Sequence, residues 1–132
     1  MIEKQILKLM LNKKFYVQYK GQISRNVFQG SFGALFETIQ KAHEKYDADL
    51  SVDELYTLHT GVYNPALTRA AKEQFSELVE DIKETTEPSE AIAKDIVNIM
   101  SQRDVAQRIA IEATEIFNGK PAEFDIINKI IE

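Results

Sequence analysis

The sequence predicts an all-α fold: a compact multi-helix N-terminal domain followed by a C-terminal helical hairpin. Three observations carry that prediction. Apolar residues recur at steps of three and four along most of the chain. The one alternating stretch, Phe15-Val17-Tyr19, finds no second strand to pair with. The periodic segments are bounded by Gly, Pro and Ser at positions where helices begin and end.

Ile2 to Leu11 reads as a short amphipathic helix with Ile2, Ile6, Leu9 and Met10 inward and Lys4 and Lys8 on the solvated side. Asn12 to Tyr19 is expected to be helical as well, since Phe15, Tyr16 and Tyr19 fit one turn, and Gly21 ends it. After a turn through Val27, Phe28 and Gly30, Ser31 is the expected N-cap of a helix to Tyr46 carrying Phe32, Leu35, Phe36, Ile39 and Ala42 on one side. Ser51 with Glu54 three residues on is a capping box, Leu50 its staple, with Leu55 and Leu58 inside. That helix is expected to reach Thr60 and close at Gly61. Asn64-Pro65 then opens the next, with Leu67, Ala71, Phe75, Leu78, Val79 and Ile82 inside and an end near Thr85.

From Ser89, another expected N-cap, to Asn118 no Gly or Pro interrupts. Ile92, Ile96, Ile99, Arg103, Ala106, Ala110, Ala113 and Phe117 recur there at alternating steps of four and three, which is one helical face. Gly119-Lys120-Pro121 then turns the chain, and Phe124, Ile127, Ile130 and Ile131 make a second apolar stripe, the returning arm of the hairpin. The predicted division is a globular helical subdomain over 1–86 and the hairpin over 89–132, leading toward a linker. The end on Ile-Ile inside a periodic run reads as a chain cut before that linker.

The 132 residues are 44% hydrophobic and 28% charged, ordinary for one globular domain. The apolar runs are far shorter than the roughly 18 to 20 residues of a spanning helix, and the start lacks the layout of an export signal. With no Cys there is neither a disulfide framework nor a thiolate metal site, so a cytoplasmic location is expected. The net charge of -5 is uneven: residues 1–25 hold six basic and one acidic side chain, the remainder ten and twenty. An acidic body repels a phosphate backbone, so little direct nucleic-acid binding is expected.

Chemistry-bearing motifs are missing from the sequence. Gly119-Lys120 is followed by Pro, with no Gly five positions earlier, so no phosphate-binding loop is present. Gly30-Ser31-Phe32-Gly33 reads as a turn rather than a nucleic-acid clamp. A helix-turn-helix drawn from Ser51 to Leu78 would present Glu73 and Glu77 beside Arg69 and Lys72, the wrong charge for a major groove. His43, beside Glu44 on a polar face, and His59, near a helix C-terminus, are expected to be structural or solvent-facing, not ligands. Arg103 stands on an apolar stripe, where either a core salt bridge or a pair across an interface would accommodate it.

The order of these patterns resembles the N-terminal domain of the DnaB-type hexameric replicative DNA helicases and their tailed-phage relatives. The resemblance covers nearly the whole chain. It rests on Ile6-Leu7-Lys8-Leu9-Met10, on Val27-Phe28 before Leu35-Phe36-Glu37-Thr38-Ile39, and on Asp49-Leu50-Ser51-Val52-Asp53-Glu54-Leu55. Gln102-Arg103-Asp104, Ile109-Ala110-Ile111-Glu112-Ala113 and Phe124-Asp125-Ile126-Ile127 continue it, while Thr60 to Ala71 departs most. None of these is a catalytic signature.

The resemblance implies a non-catalytic oligomerisation domain of a replicative helicase on which a primase or helicase loader docks. Copies would pair through the hairpin as dimers or higher oligomers, with no membrane involved. ATP and Mg would belong to a motor domain downstream, so the chain itself is expected to be neither an enzyme nor a cofactor carrier. The expected interface comprises Arg103, Ile109, Ala113, Ile116, Phe117, Phe124, Ile127, Ile130 and Ile131. The alternative is a stand-alone phage or bacterial regulatory protein that binds another protein through the same hairpin.

Overall fold

The computed structural model describes residues 2–117. The turn at Gly119-Lys120-Pro121 and the returning stripe of Phe124, Ile127, Ile130 and Ile131 lie outside the described residues. Within them the chain is all-α, with no strand: α1 (Ile2–Met10), α2 (Lys13–Tyr19), α3 (Ser31–Lys45), α4 (Val52–Thr57), α5 (Arg69–Glu84) and α6 (Glu90–Phe117).

A single cluster joins the helices. α1 lies at its centre, touching α2, α3, α5 and α6, and contributes the fully buried Ile6, Leu7 and Met10, with Ile2 and Leu9 packed at the margin. Asn12 caps α2 by accepting the Phe15 N–H at 2.9 Å, which settles the ambiguous segment as helix. A 3-10 turn at Arg25–Val27 then drops Val27 and Phe28 into the core, where the Phe28 ring meets Phe36 at 4.8 Å.

α3 begins differently from the sequence expectation. Gly30, at φ 55°, occupies the N-cap position and Ser31 is already helical, because the chain must enter the helix through a backbone conformation that favours glycine. Gly33 lets α3 close on the preceding turn: a Cβ there would stand 3.3 Å from the Phe28 carbonyl oxygen.

The capping box at Ser51 and Glu54 is present in both directions, at 3.0 and 2.9 Å. Two boundaries after it move. Gly61 does not close the helix, which continues as a π-helical turn from Leu58 to Tyr63. Asn64-Pro65 does not open α5 either; Pro65 sits in a turn closed by Leu67 N–H to Asn64 O, and Thr68 caps the helix by accepting from Ala71 at 3.1 Å.

The N-terminal lysines are used internally. Lys8 donates to the carbonyls of Lys83 and Thr85 at 2.9 and 2.5 Å, closing the C-terminal end of α5, and Lys4 pairs with Asp81 at 3.4 Å. Lys13 reaches the His43 and Tyr46 carbonyls at the end of α3. Arg25 pairs with Glu37 at 2.7 Å. Much of the basic excess of the first 25 residues thus serves helix ends and acidic neighbours of the same chain, where the sequence reading had Lys4 and Lys8 simply solvated.

Candidate functional site

α6 is one continuous helix with two unlike halves. In its first half Ala93, Ile96, Val97, Met100 and Asp104 face inward, against α1 and the 3-10 turn. Ile96, Val97 and Met100 belong to the same cluster as α1 and α3, so the core runs on from residues 1–86 into α6. From Val105 to Phe117 no residue is buried. These 13 residues make a rod of about 20 Å.

The junction between the halves is held by a buried carboxylate. Asp104 accepts a hydrogen bond from Ser24 Oγ at 2.8 Å through one oxygen and pairs with Arg108 at 2.6 Å through the other. The arm is thereby fixed to the loop before the 3-10 turn. The spacing to Arg108 is local, but nothing in the sequence signalled the burial of Asp104, because the Ser24 partner stands 80 positions earlier.

The stripe of alternating fours and threes lies about 110° around the helix from the core-facing side, at 100° per residue. It is largely open to solvent. Ile92 is 55% exposed, Ile99 43% and Phe117 89%, and Ala106, Ala110 and Ala113 are exposed between them; Ile96 alone is covered by the core. Of the expected interface residues, Arg103, Ala113 and Phe117 are exposed, and Ile109 and Ile116 are half-buried on the adjoining side. Phe124, Ile127, Ile130 and Ile131 are outside the described residues. Ile111, 58% exposed, projects on another side of the helix and was not among the expected interface residues.

Arg103 forms no core salt bridge. Its guanidinium stands 3.5 Å from Glu3 and 3.9 Å from the Met100 sulfur, and both partners of the ion pair remain partly open to water. Glu3 carries a lowered pKa, chiefly from backbone hydrogen bonding at the start of α1, with the N-terminus and Arg103 adding to it.

Of the two expected settings, structural or solvent-facing, both histidines take the structural one, buried at 2% and 3% exposure, and only the polar face expected for His43 is overturned. His43 Nε2 donates to the Met10 carbonyl at 2.6 Å, so its Nδ1 is a bare acceptor, and the ring stacks on Tyr16 at 4.5 Å. His59 Nδ1 takes the Thr38 hydroxyl at 2.7 Å and the Asn64 amide at 3.3 Å, with the Phe75 ring edge-on at 4.2 Å. Burial pushes both pKa values down; Lys13 adds to this at His43 against the Met10 carbonyl and Asp49, and Lys41 adds to it at His59. They are neutral pins between elements. Apolar residues three and four positions away were a signal at His59, whereas at His43 the adjacent Glu44 outweighed the Ile39 and Tyr46 spacing.

A cleft of about 460 Å³ lies between the 46–50 loop and α4, with Tyr46, Leu50 and Leu58 among its walls and Asp49, Asp53 and Glu54 at its rim. Two of those carboxylates are engaged in capping: Asp49 accepts the Lys13 N–H at 2.8 Å and Glu54 accepts the Ser51 N–H. Among the described residues no group of three or more His, Asp or Glu could hold a metal ion, and no helix is long and apolar enough to cross a membrane. No family model, curated protein or solved structure matches the chain.

Proposed function

We propose that this chain is a non-catalytic oligomerisation and docking module, of the kind found at the N-terminal end of DnaB-type replicative helicases. Copies pair along α6, and a primase or helicase loader docks on the assembled surface. The observation that carries the reading is the solvent-exposed apolar stripe of α6, which begins beside the core and continues past it to Phe117. Apolar side chains repeated in line along about 38 Å of helix favour burial, and a second identical helix offers the same spacing.

Large and small residues share this stripe: Ile92, Ile99 and Phe117 project, and Ala106, Ala110 and Ala113 leave room. A surface with both knobs and hollows can complement itself, as a two-fold dimer requires. The internal use of the N-terminal lysines leaves less free positive charge for a phosphate backbone, which favours protein partners over nucleic acid. ATP hydrolysis, in this reading, belongs to a separate motor domain of the parent helicase.

Light scattering across a concentration series tests the proposal. The mass is expected to rise from one chain toward two or a higher multiple as concentration increases. A constant single-chain mass at the highest concentration would contradict it.

A further inference from the structure

Resting on that oligomerisation reading, we infer that two copies pair through α6 in antiparallel orientation, centred between Asp104 and Val105. The stripe is a strict seven-residue repeat sustained from Ile92 to Phe117, nearly four heptads, which is the spacing of a left-handed coiled-coil seam. An amphipathic helix that merely packs on its own core follows 3.6. Here the core-facing side and the seven-residue seam are centred about 110° apart, so among the described residues the seam is uncovered except at Ile96, which the core already covers, while the core side is occupied.

The orientation follows from the order of side-chain sizes. Isoleucines occupy the first half of the seam and alanines the second. Parallel pairing would set Ile99 on Ile99 at one end and Ala110 on Ala110 at the other, demanding different interaxial distances within the 8 to 10 Å range along one straight pair. It would also set Arg103 against Arg103 in one layer, two like charges face to face. Antiparallel pairing about the 104/105 midpoint instead puts Ile99 of one copy on Ala110 of the other, Arg103 on Ala106, and Ile92 on Phe117. The inner layers then carry one large and one small residue each, so spacing stays even through them, and the larger layers of Ile92 on Phe117 close the two ends. The methyl group of Ala106 leaves the Arg103 stem a path to water, with its head still beside Glu3 of its own chain at 3.5 Å.

The absence of cysteine from the sequence makes this directly testable. Ile99→Cys and Ala110→Cys are made in separate chains; both positions are exposed, so the fold is retained, and a thermal melt checks it. After mild oxidation, the mixture of the two variants is expected to give a disulfide-linked dimer, while each variant alone gives none. In the antiparallel pair, residue 99 of the two copies lies about 16 Å apart along the axis, beyond the roughly 7 Å that a disulfide can span. Cross-linking of Ile99→Cys with itself would overturn the antiparallel inference while leaving the oligomerisation reading intact. No cross-link in any combination, together with a single-chain mass, would overturn both.

Discussion

The two halves of α6 have the same backbone and the same mixture of Ile, Ala and charged residues, yet one is part of a core and the other is not. Ala93, Val97 and Met100 are buried because α1 and the 3-10 turn stand beside them; Ala106, Ala110 and Ala113 are exposed because nothing among the described residues does. Helical periodicity tells which residues share a side. It does not tell which side has a neighbour, and the stability of each half follows from the neighbour rather than from the helix.

Substitutions should separate the halves by size of effect. Met100→Ala, at a fully buried position, should lower unfolding free energy by about 2 to 5 kcal/mol in urea denaturation of the dilute chain, whereas Ile99→Ala, one residue earlier but partly exposed, should cost less than about 1 kcal/mol there. Equal losses would mean that the two sides of the first half had been assigned wrongly. At the junction, Asp104→Ala leaves the Ser24 hydroxyl without its acceptor and Arg108 without its partner, and should cost about 1 to 3 kcal/mol. A double-mutant cycle with Ser24→Ala should return a non-additive term, and simple additivity would show the pair to be uncoupled.

Acidification should act on the body and spare the arm. His43 and His59 have pKa values lowered by burial, so below about pH 6.5 the unfolded chain takes up protons that the folded chain resists. Unfolding free energy is therefore expected to be level above about pH 6.5 and to fall below it, by up to about 1.4 kcal/mol per pH unit for each histidine, until the folded rings themselves protonate. A melting temperature that stayed constant from pH 8 to the lower fives, both values rough bounds, would show that the rings do not resist protonation in the fold. The smallest effect on folding belongs to Phe117→Asp: within about 0.5 kcal/mol for the dilute chain, because the ring is 89% exposed, with its loss read instead as weakened association. A large drop in dilute-chain melting would place Phe117 in a packed environment.

Much of the fold was legible in the sequence because its signals are local. The Ser51/Glu54 box, the apolar spacing of α1, α3 and α5, and the uninterrupted run of α6 involve residues within a turn or two of one another. What escaped depends on distant partners. Lys8 looked solvated because the α5 carbonyls that hold it are 75 and 77 residues away, and His43 looked polar because Met10 and Tyr16 come from other helices. The π-helical turn escaped for a different reason: Gly61 and Pro65 carry stop signals, but the buried His59, bonded to Thr38 and Asn64, holds the backbone coiled through Tyr63. For the candidate site, the stripe itself was readable from spacing, whereas its exposure, and the surface ion pair of Arg103 with Glu3, required knowing which side of α6 meets α1.

Amide hydrogen exchange along α6, followed at several protein concentrations, tests the central contrast most directly. Amides around Val97 and Met100 should exchange slowly at every concentration, because the fold of a single copy protects them, while those from Val105 to Phe117 should exchange fast when dilute and slow down as concentration rises. Exchange in the 105–117 segment that is the same at all concentrations, whether fast or slow, would contradict the claim that a second copy covers it.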